Sequence, residues 1–280
     1  MFSLDRLRTF FGSKQKHPLS NLLDEMRSHF KDHQHKKAVV QKSIPILFFG
    51  DLDAYRNSKK RILTVALNPS DKEFSEARFD VSPSTLSDDS QYIKTLSEYF
   101  ESNPYRFWFN HFEKLLQTIG ASYYSRTSRP IFAAIKPDAE SDFNRALHTD
   151  VCSPIATSVT WSKLKSKEDI LLKQELQRAG TKIWRDLIEY LDPDIILISG
   201  GKYLCDFIPG SWTDLTLPKD FDPSHQLRFC EFSNAKVFKC IFSFERATKK
   251  LGLNLSRSLV AHSVEDSVSK HTTFFIEEDL

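Results

Sequence analysis

Arg61-Ile62-Leu63-Thr64-Val65-Ala66-Leu67 is a short apolar run rich in β-formers, and Asn68-Pro69-Ser70 ends it. An apolar run without alternation reads as a strand buried on both faces, which is the habit of parallel sheets. Three further runs repeat the pattern: residues 146–151, then Asp194-Ile195-Ile196-Leu197-Ile198-Ser199 stopped by Gly200-Gly201, then residues 236–242. Helical spacing fills the intervals, at residues 91–101, at 106–119 closed by Gly120, at 167–191, and from 202 to 208. In the long stretch the apolar positions are 171, 172, 176, 183, 184, 187, 188 and 191. Strands alternating with helices predict a three-layer α/β/α sandwich around a short, mainly parallel sheet of about four strands. Such sheets bind ligands beyond the carboxyl ends of their strands. The strand-end segments Asn68-Pro69-Ser70, Gly200-Gly201 and Ser243-Phe244-Glu245-Arg246 are therefore the first places to look for chemistry. Residues 71–90 are polar and read as a long loop, of the length that usually serves function; residues 121–143 read as irregular.

Working outward, a 280-residue chain with 40% apolar residues and 23 Phe can bury a real core, which excludes wholesale disorder. Eight Gly and 12 Pro exclude collagen-like and low-complexity chains. No apolar run reaches about 18 residues, the length of a membrane span. Met1-Phe2-Ser3-Leu4-Asp5 does not open a secretory leader, so a cytoplasmic location is expected, nucleoid-associated in a bacterium. Cys152, Cys205, Cys230 and Cys240 form no C-x-x-C pair and read as reduced thiols. Residues 19–30 have helical spacing within a basic N-terminal third. Residues 1–61 carry thirteen Lys and Arg against six acids, an excess of +7, while the last eighteen carry five acids against Lys270. A basic extension over 1–40, an α/β/α domain over 41–258 and an acidic tail over 259–280 follow. The excess fits either an anionic partner such as nucleic acid or a solvated helical face.

Four segments in order resemble the uracil-DNA glycosylase superfamily over roughly residues 45–255. Ala66-Leu67-Asn68-Pro69-Ser70 resembles its first motif, of the N-P-S type. Asn103-Pro104-Tyr105-Arg106-Phe107-Trp108-Phe109, with the helix running to Gly120-Ala121-Ser122-Tyr123-Tyr124, is similar to a segment of superfamily relatives. Ala146-Leu147-His148-Thr149-Asp150-Val151-Cys152-Ser153-Pro154-Ile155 is similar to the strand that carries the base-reading residue, and 194–201 to the third strand. The resemblance implies an enzyme that flips a nucleotide out of DNA, because the target atom is inaccessible in the stack, and hydrolyses its N-glycosidic bond. It implies no metal and no cofactor, and a monomer is expected. It assigns Asn68 to positioning the attacking water. Asp71 either supplies a carboxylate to the cationic sugar or caps a helix. Phe79, with Phe74 as competitor, would stack on the flipped base. Ser70, Gly200, Gly201, Lys202 and Ser243 would meet phosphates, and Phe244 or Arg246 would fill the gap left by the base. The family's second motif, often H-P-S, is here Phe242-Ser243-Phe244 and lacks its His; His148 and His225 are candidate substitutes.

Asp150 stands where uracil-excising relatives commonly carry Asn. An ionised carboxylate only accepts hydrogen bonds, so it would oppose uracil O4 and accept from cytosine N4. Ordinary cytosine would be a ruinous substrate, which leaves a cytosine carrying a 5-substituent, as in modified viral DNA, and a role in antiviral defence. The alternatives are a uracil or mismatch repair glycosylase, a catalytically decayed α/β nucleic-acid-binding protein, and a structural DNA-binding module that uses the basic N-terminal third.

Overall fold

Leu22, Leu23, Met26 and Phe30 recur at helical spacing, and Leu19–His33 forms helix α1 with these residues buried. The computed structural model describes residues 19–74, 83–102, 109, 112–113, 116–117, 120–125, 144–199, 206–215, 226–232 and 234–241. After α1 come α2 (Leu52–Arg56), β1 (Ile62–Ala66), α3 (Asp89–Ser97), α4 (Tyr99–Ser102), β2 (Ala121–Ser122), β3 (Asn144–Asp150), α5 (Lys167–Leu191), β4 (Ile195–Ser199), β5 (Thr213–Leu215), β6 (Gln226–Phe232) and β7 (Ala235–Ile241). Short 3-10 turns occupy Asp71–Glu73 and Pro83–Ser87, within the stretch expected as a loop.

The strands join in one sheet of order β2-β3-β1-β4-β7-β6-β5. The first five are mutually parallel, and β6 and β5 continue the sheet antiparallel. The α/β class is as the pattern predicts, and the four expected strands are β1, β3, β4 and β7. The sheet is nevertheless wider than four strands. β2 has only two residues, β5 has three, and β6 leaves Glu231 exposed, so none shows the continuous apolar run that marks the interior strands.

All five residues of β1 are buried, as are Ile195, Ile196, Leu197 and Ile198 of β4. Successive residues of a strand reach opposite faces. Thr149 of β3 meets Trp184 of α5, whose Nε1 donates to Thr149 Oγ1 at 3.0 Å. Its neighbour His148 instead sits among Phe49, Phe109 and Phe112, with ring centroids 5.0–5.8 Å away.

α5 starts at a capping box in which Ser166 Oγ accepts from Asp169 N and the Asp169 carboxylate accepts from Ser166 N. It ends at Asp192, which takes a left-handed conformation (φ 49°) ahead of Pro193. Leu172, Leu176, Ile183, Trp184, Leu187 and Ile188 face the core, whereas Leu171, counted with them from the sequence, is 53% exposed. Gly180 lies against the chain leaving β3: a Cβ there would stand 2.2 Å from Cys152 O and 2.6 Å from Ser153 Cα. Thr181 Oγ1 also donates to Val151 O at 3.2 Å. α5 therefore holds the end of β3 at backbone-contact range.

α1 packs against α5 and shares the main core, so the extension expected over 1–40 is, from Leu19 onward, part of the packed body. Several cations of the basic third are engaged internally. Arg27 bonds Asp89 at 2.5 Å, and Arg61 pairs with Asp192 at 3.0 Å and Asp194 at 3.4 Å. The Arg56 guanidinium lies 5.0 Å from the centre of the Tyr190 ring. No helix among the described residues is long and apolar enough to cross a membrane.

Candidate active site

β1 and β3 run side by side with Ala66 opposite Asp150, and the ladder continues as Val151 N donates to Ala66 O and Cys152 N to Leu67 O. This pairing brings Asn68 and Asp150 to the same carboxyl end of the sheet. The side-chain amide of Asn68 is anchored twice. Its Nδ2 donates to Pro69 O at 2.7 Å and to Thr157 Oγ1 at 3.0 Å. A carbonyl can only accept, so the partner Pro69 O fixes which amide atom is nitrogen. Thr157 Oγ1 passes its own proton to Val159 O at 2.7 Å, which leaves its lone pair for Asn68. Asn68 Oδ1 accepts no hydrogen bond among the described residues, and the half-buried amide thus presents an oriented acceptor.

Thr157 is 1% exposed and forms single β-bridges with both Ser70 and Val39, so its position is over-determined. Nothing in the sequence around Thr157 marks it, because its partner lies 89 residues away. Ser70 is the N-cap of the following turn, its Oγ accepting from Lys72 N at 3.2 Å. The capping role that Asp71 could have filled therefore belongs to Ser70. Asp71 begins the turn and is half-buried.

Asp150 has a side chain only 3% exposed. Among the described residues its carboxyl accepts no hydrogen bond, and His148 Nε2 lies 3.8 Å from it. Burial pushes this carboxyl well above the ordinary range, and the charge of Glu73 pushes it further. The shift favours the neutral acid over the ionised carboxylate assumed from the sequence. A neutral acid donates through O–H and accepts through C=O. The acceptor-only argument against uracil applies to the ionised form alone, since a neutral acid can match either a cytosine edge or a uracil edge.

Burial holds His148 neutral, down to about 3. Its Nδ1 lies 2.7 Å from Thr64 Oγ1, which in turn meets the Tyr123 hydroxyl. A ring so engaged, 2% exposed and walled by three Phe, steadies the β3 end and is a poor cation for a leaving anion. Glu73, which no sequence pattern marked, is 4% exposed and receives a hydrogen bond from the Tyr99 hydroxyl. Burial, with the neighbouring Asp150 adding to it, pushes the Cys152 thiol up to about 12, so it stays protonated and is no nucleophile.

Phe79, Gly200, Gly201, Lys202, His225, Ser243, Phe244 and Arg246 lie outside the described residues. Phe74, the competing stacker, is half-buried and packs against the core. Among the described residues no group of three or more His, Cys, Asp or Glu could hold a metal ion. The sheet end thus gathers Asn68, Ser70, Asp71, Glu73, His148 and Asp150 and adds Thr157. No family model matches the chain, and no curated protein matches it.

Proposed function

We propose that this chain is a DNA glycosylase, hydrolysing the N-glycosidic bond of a flipped pyrimidine to leave an abasic site. The observation that carries the reading is the Asn68 amide, whose nitrogen is tied down by Pro69 O and Thr157 while its oxygen stays open at a sheet end. An open amide oxygen accepts a proton of one water and so aims that water's lone pair. If the glycosidic bond breaks largely before attack, the oxocarbenium-like sugar needs a positioned water more than a strong base. Asp150 would read the base at the end of β3, and Asp71, at the start of the turn after β1, would offset the sugar's positive charge. Ser70 keeps a hydroxyl proton that no described residue accepts, which suits a DNA phosphate.

A 5-substituted cytosine remains the substrate proposed. A neutral Asp150 donates to cytosine N3 and accepts from N4, so both atoms are matched. Uracil is matched equally well by the same acid, and the 5-substituent would make the distinction. Defence against modified viral DNA, DNA as partner, a monomeric state and a cytoplasmic location belong to this same proposal. The test is to incubate the protein with duplexes carrying different modified pyrimidines, cleave abasic sites with alkali and look for strand breaks. Asn68→Ala should lower base release by about two to three orders of magnitude, about 3–4 kcal/mol, while DNA binding persists. Wild-type cleavage by the variant, or no breaks with any duplex, overturns the reading.

A further inference from the structure

Two stretches of the chain carry lysines and no acid. Residues 33–50 hold Lys36, Lys37 and Lys42, residues 151–167 hold Lys163, Lys165 and Lys167, and neither stretch contains an Asp or Glu. All six lysines are exposed, and none makes an ion pair among the described residues. By contrast Arg27, Arg61, Arg145, Lys182 and Arg228 each sit on a carboxylate.

The fold joins the two stretches edge to edge. Val39 forms an antiparallel bridge with Thr157, Val40 N donates to Ala156 O at 3.0 Å, and Ser158 N donates to Ala38 O at 2.9 Å. Each stretch is also stiffened from within. Gln41 Nε2 donates to Gln34 O and Val39 O, both at 3.2 Å. Ser43 Oγ donates to Val40 O at 2.7 Å across a turn that holds Lys42 in left-handed backbone, φ 64°. Trp161 is buried at the head of the 3-10 turn Trp161–Lys163, which Lys163 N closes on Thr160 O at 2.7 Å. The backbone that carries the lysines is therefore set before any ligand arrives, which lowers the ordering cost of binding. Thr157 ties this surface to the site, because it also bridges Ser70 and accepts from Asn68.

Six positive charges without an acid partner, on one fixed surface, attract a polyanion. All six are Lys. An ammonium is a point charge without the planar fork that reads a base edge, so it suits phosphates. An anionic membrane takes a broad apolar face beneath the charges, and α5 turns its apolar face to the core.

We propose that Lys36, Lys37 and Lys42, together with Lys163, Lys165 and Lys167, form a contact surface for the phosphate backbone of DNA beside Asn68. DNA as the partner rests on the glycosylase reading; the affinity of the surface for a phosphate backbone does not. Half of the surface lies outside the basic N-terminal third, in the connection from β3 to α5.

The test is binding of the full chain to fluorescein-labelled, unmodified duplexes of two sequences, followed by anisotropy from low to high salt. Lys163→Ala, Lys165→Ala and Lys167→Ala together should weaken binding about tenfold or more at about 0.1 M salt. They should also lower the slope of log K against log salt by about two to three. The same change at Lys36, Lys37 and Lys42 should do likewise, and Arg at either set should keep the slope. Lys42→Gly, which suits the left-handed backbone, should weaken binding without lowering the urea midpoint, so a folding defect is not the cause. Lys59→Ala with Lys94→Ala, which removes exposed cations before β1 and on α3, is the control. Slopes unmoved by both triple variants, or moved as far by the control, overturn the surface. So does lysine-dependent association with vesicles of equal phosphatidylserine and phosphatidylcholine when neither duplex binds. Base release from a modified duplex with salt slopes unmoved sinks the surface and keeps the glycosylase reading. Lysine-dependent duplex binding with no base release from any duplex keeps the surface and sinks that reading instead.

Discussion

The two faces of β3 are built on opposite terms. On one, Thr149 takes the Trp184 indole proton, Val151 O takes the Thr181 hydroxyl, and Gly180 lets α5 touch the Cys152–Ser153 backbone. Each polar group named there has a partner, and the rest is close packing. On the other, His148 sits neutral among aromatic rings and Asp150 is buried with no hydrogen bond from any described residue. The first arrangement stabilises; the second costs free energy that the first must offset. Local cost maintained inside an otherwise well-satisfied core is the usual mark of a working site.

The contrast can be broken at the clamp. Gly180→Ala puts a methyl where backbone atoms stand, and neither Cys152 O nor Ser153 Cα can rotate aside. It should cost about 3 kcal/mol or more, read as a lower urea midpoint at unchanged m-value. A loss under about 0.5 kcal/mol would mean that α5 does not hold the β3 end.

Acid sharpens the comparison. His148 is lowered from 6.5 to about 3, and His29, on α1, to about 4, both chiefly by burial. Each is neutral when folded and takes its proton first in the unfolded chain. Their contribution is complete above pH 6.5 and is lost as pH falls toward 3–4. Stability should drop by about 2 kcal/mol per histidine between pH 6.5 and 5. Replacing either His by Gln should flatten that slope, and an unchanged slope in His148→Gln would place the ring in water.

The raised carboxyl acts in the opposite sense. Folded Asp150 keeps its proton while the unfolded chain loses it from pH 3.8 upward, so wild-type stability falls as pH rises through that window. Asp150→Asn should therefore gain more stability at pH 8 than at pH 4, read as a larger rise in urea midpoint at the higher pH. Equal gains at both values would show that Asp150 is ionised. The smallest effect belongs to Thr157→Val, which keeps the shape and removes the anchor of Asn68. Base release should fall about tenfold, about 1.4 kcal/mol, with stability changed by about 1 kcal/mol or less.

What the sequence made legible follows from range. β1 and β4 announce themselves because a strand buried on both faces is apolar at nearly each position, whatever its neighbours, and β3 and β7 keep shorter apolar runs. The edge strands β2 and β5, and β6 beside β5, carry no such run. Asn68 and Asp150 were found from strand ends, which are local features. Thr157 and Glu73 were not, since each matters through a partner 89 or 26 residues away. The upward shift of the Asp150 carboxyl was hidden for the same reason, because burial is a property of the assembled sheet and not of the segment His148-Thr149-Asp150. The internal pairing of Arg27 and Arg61 likewise could not be seen in a count of cations.

β1 lies between β3 and β4, its Ile62 facing Ala146 on one side and Ile195 on the other. During synthesis this strand leaves the ribosome long before either neighbour. At about 5–20 residues per second, the interval between Ala66 and Ser199 takes roughly 7–27 s. An apolar, β-prone segment waits with both edges unpaired until β3 follows and with one edge unpaired until β4 does, the condition under which nascent chains cross-pair or recruit chaperones. The Asn68 end cannot be assembled until β3 has been made, and β1 stays open along one edge until β4 arrives. Expression yield should accordingly respond to translation speed over residues 67–199 more than to codon changes elsewhere in the chain.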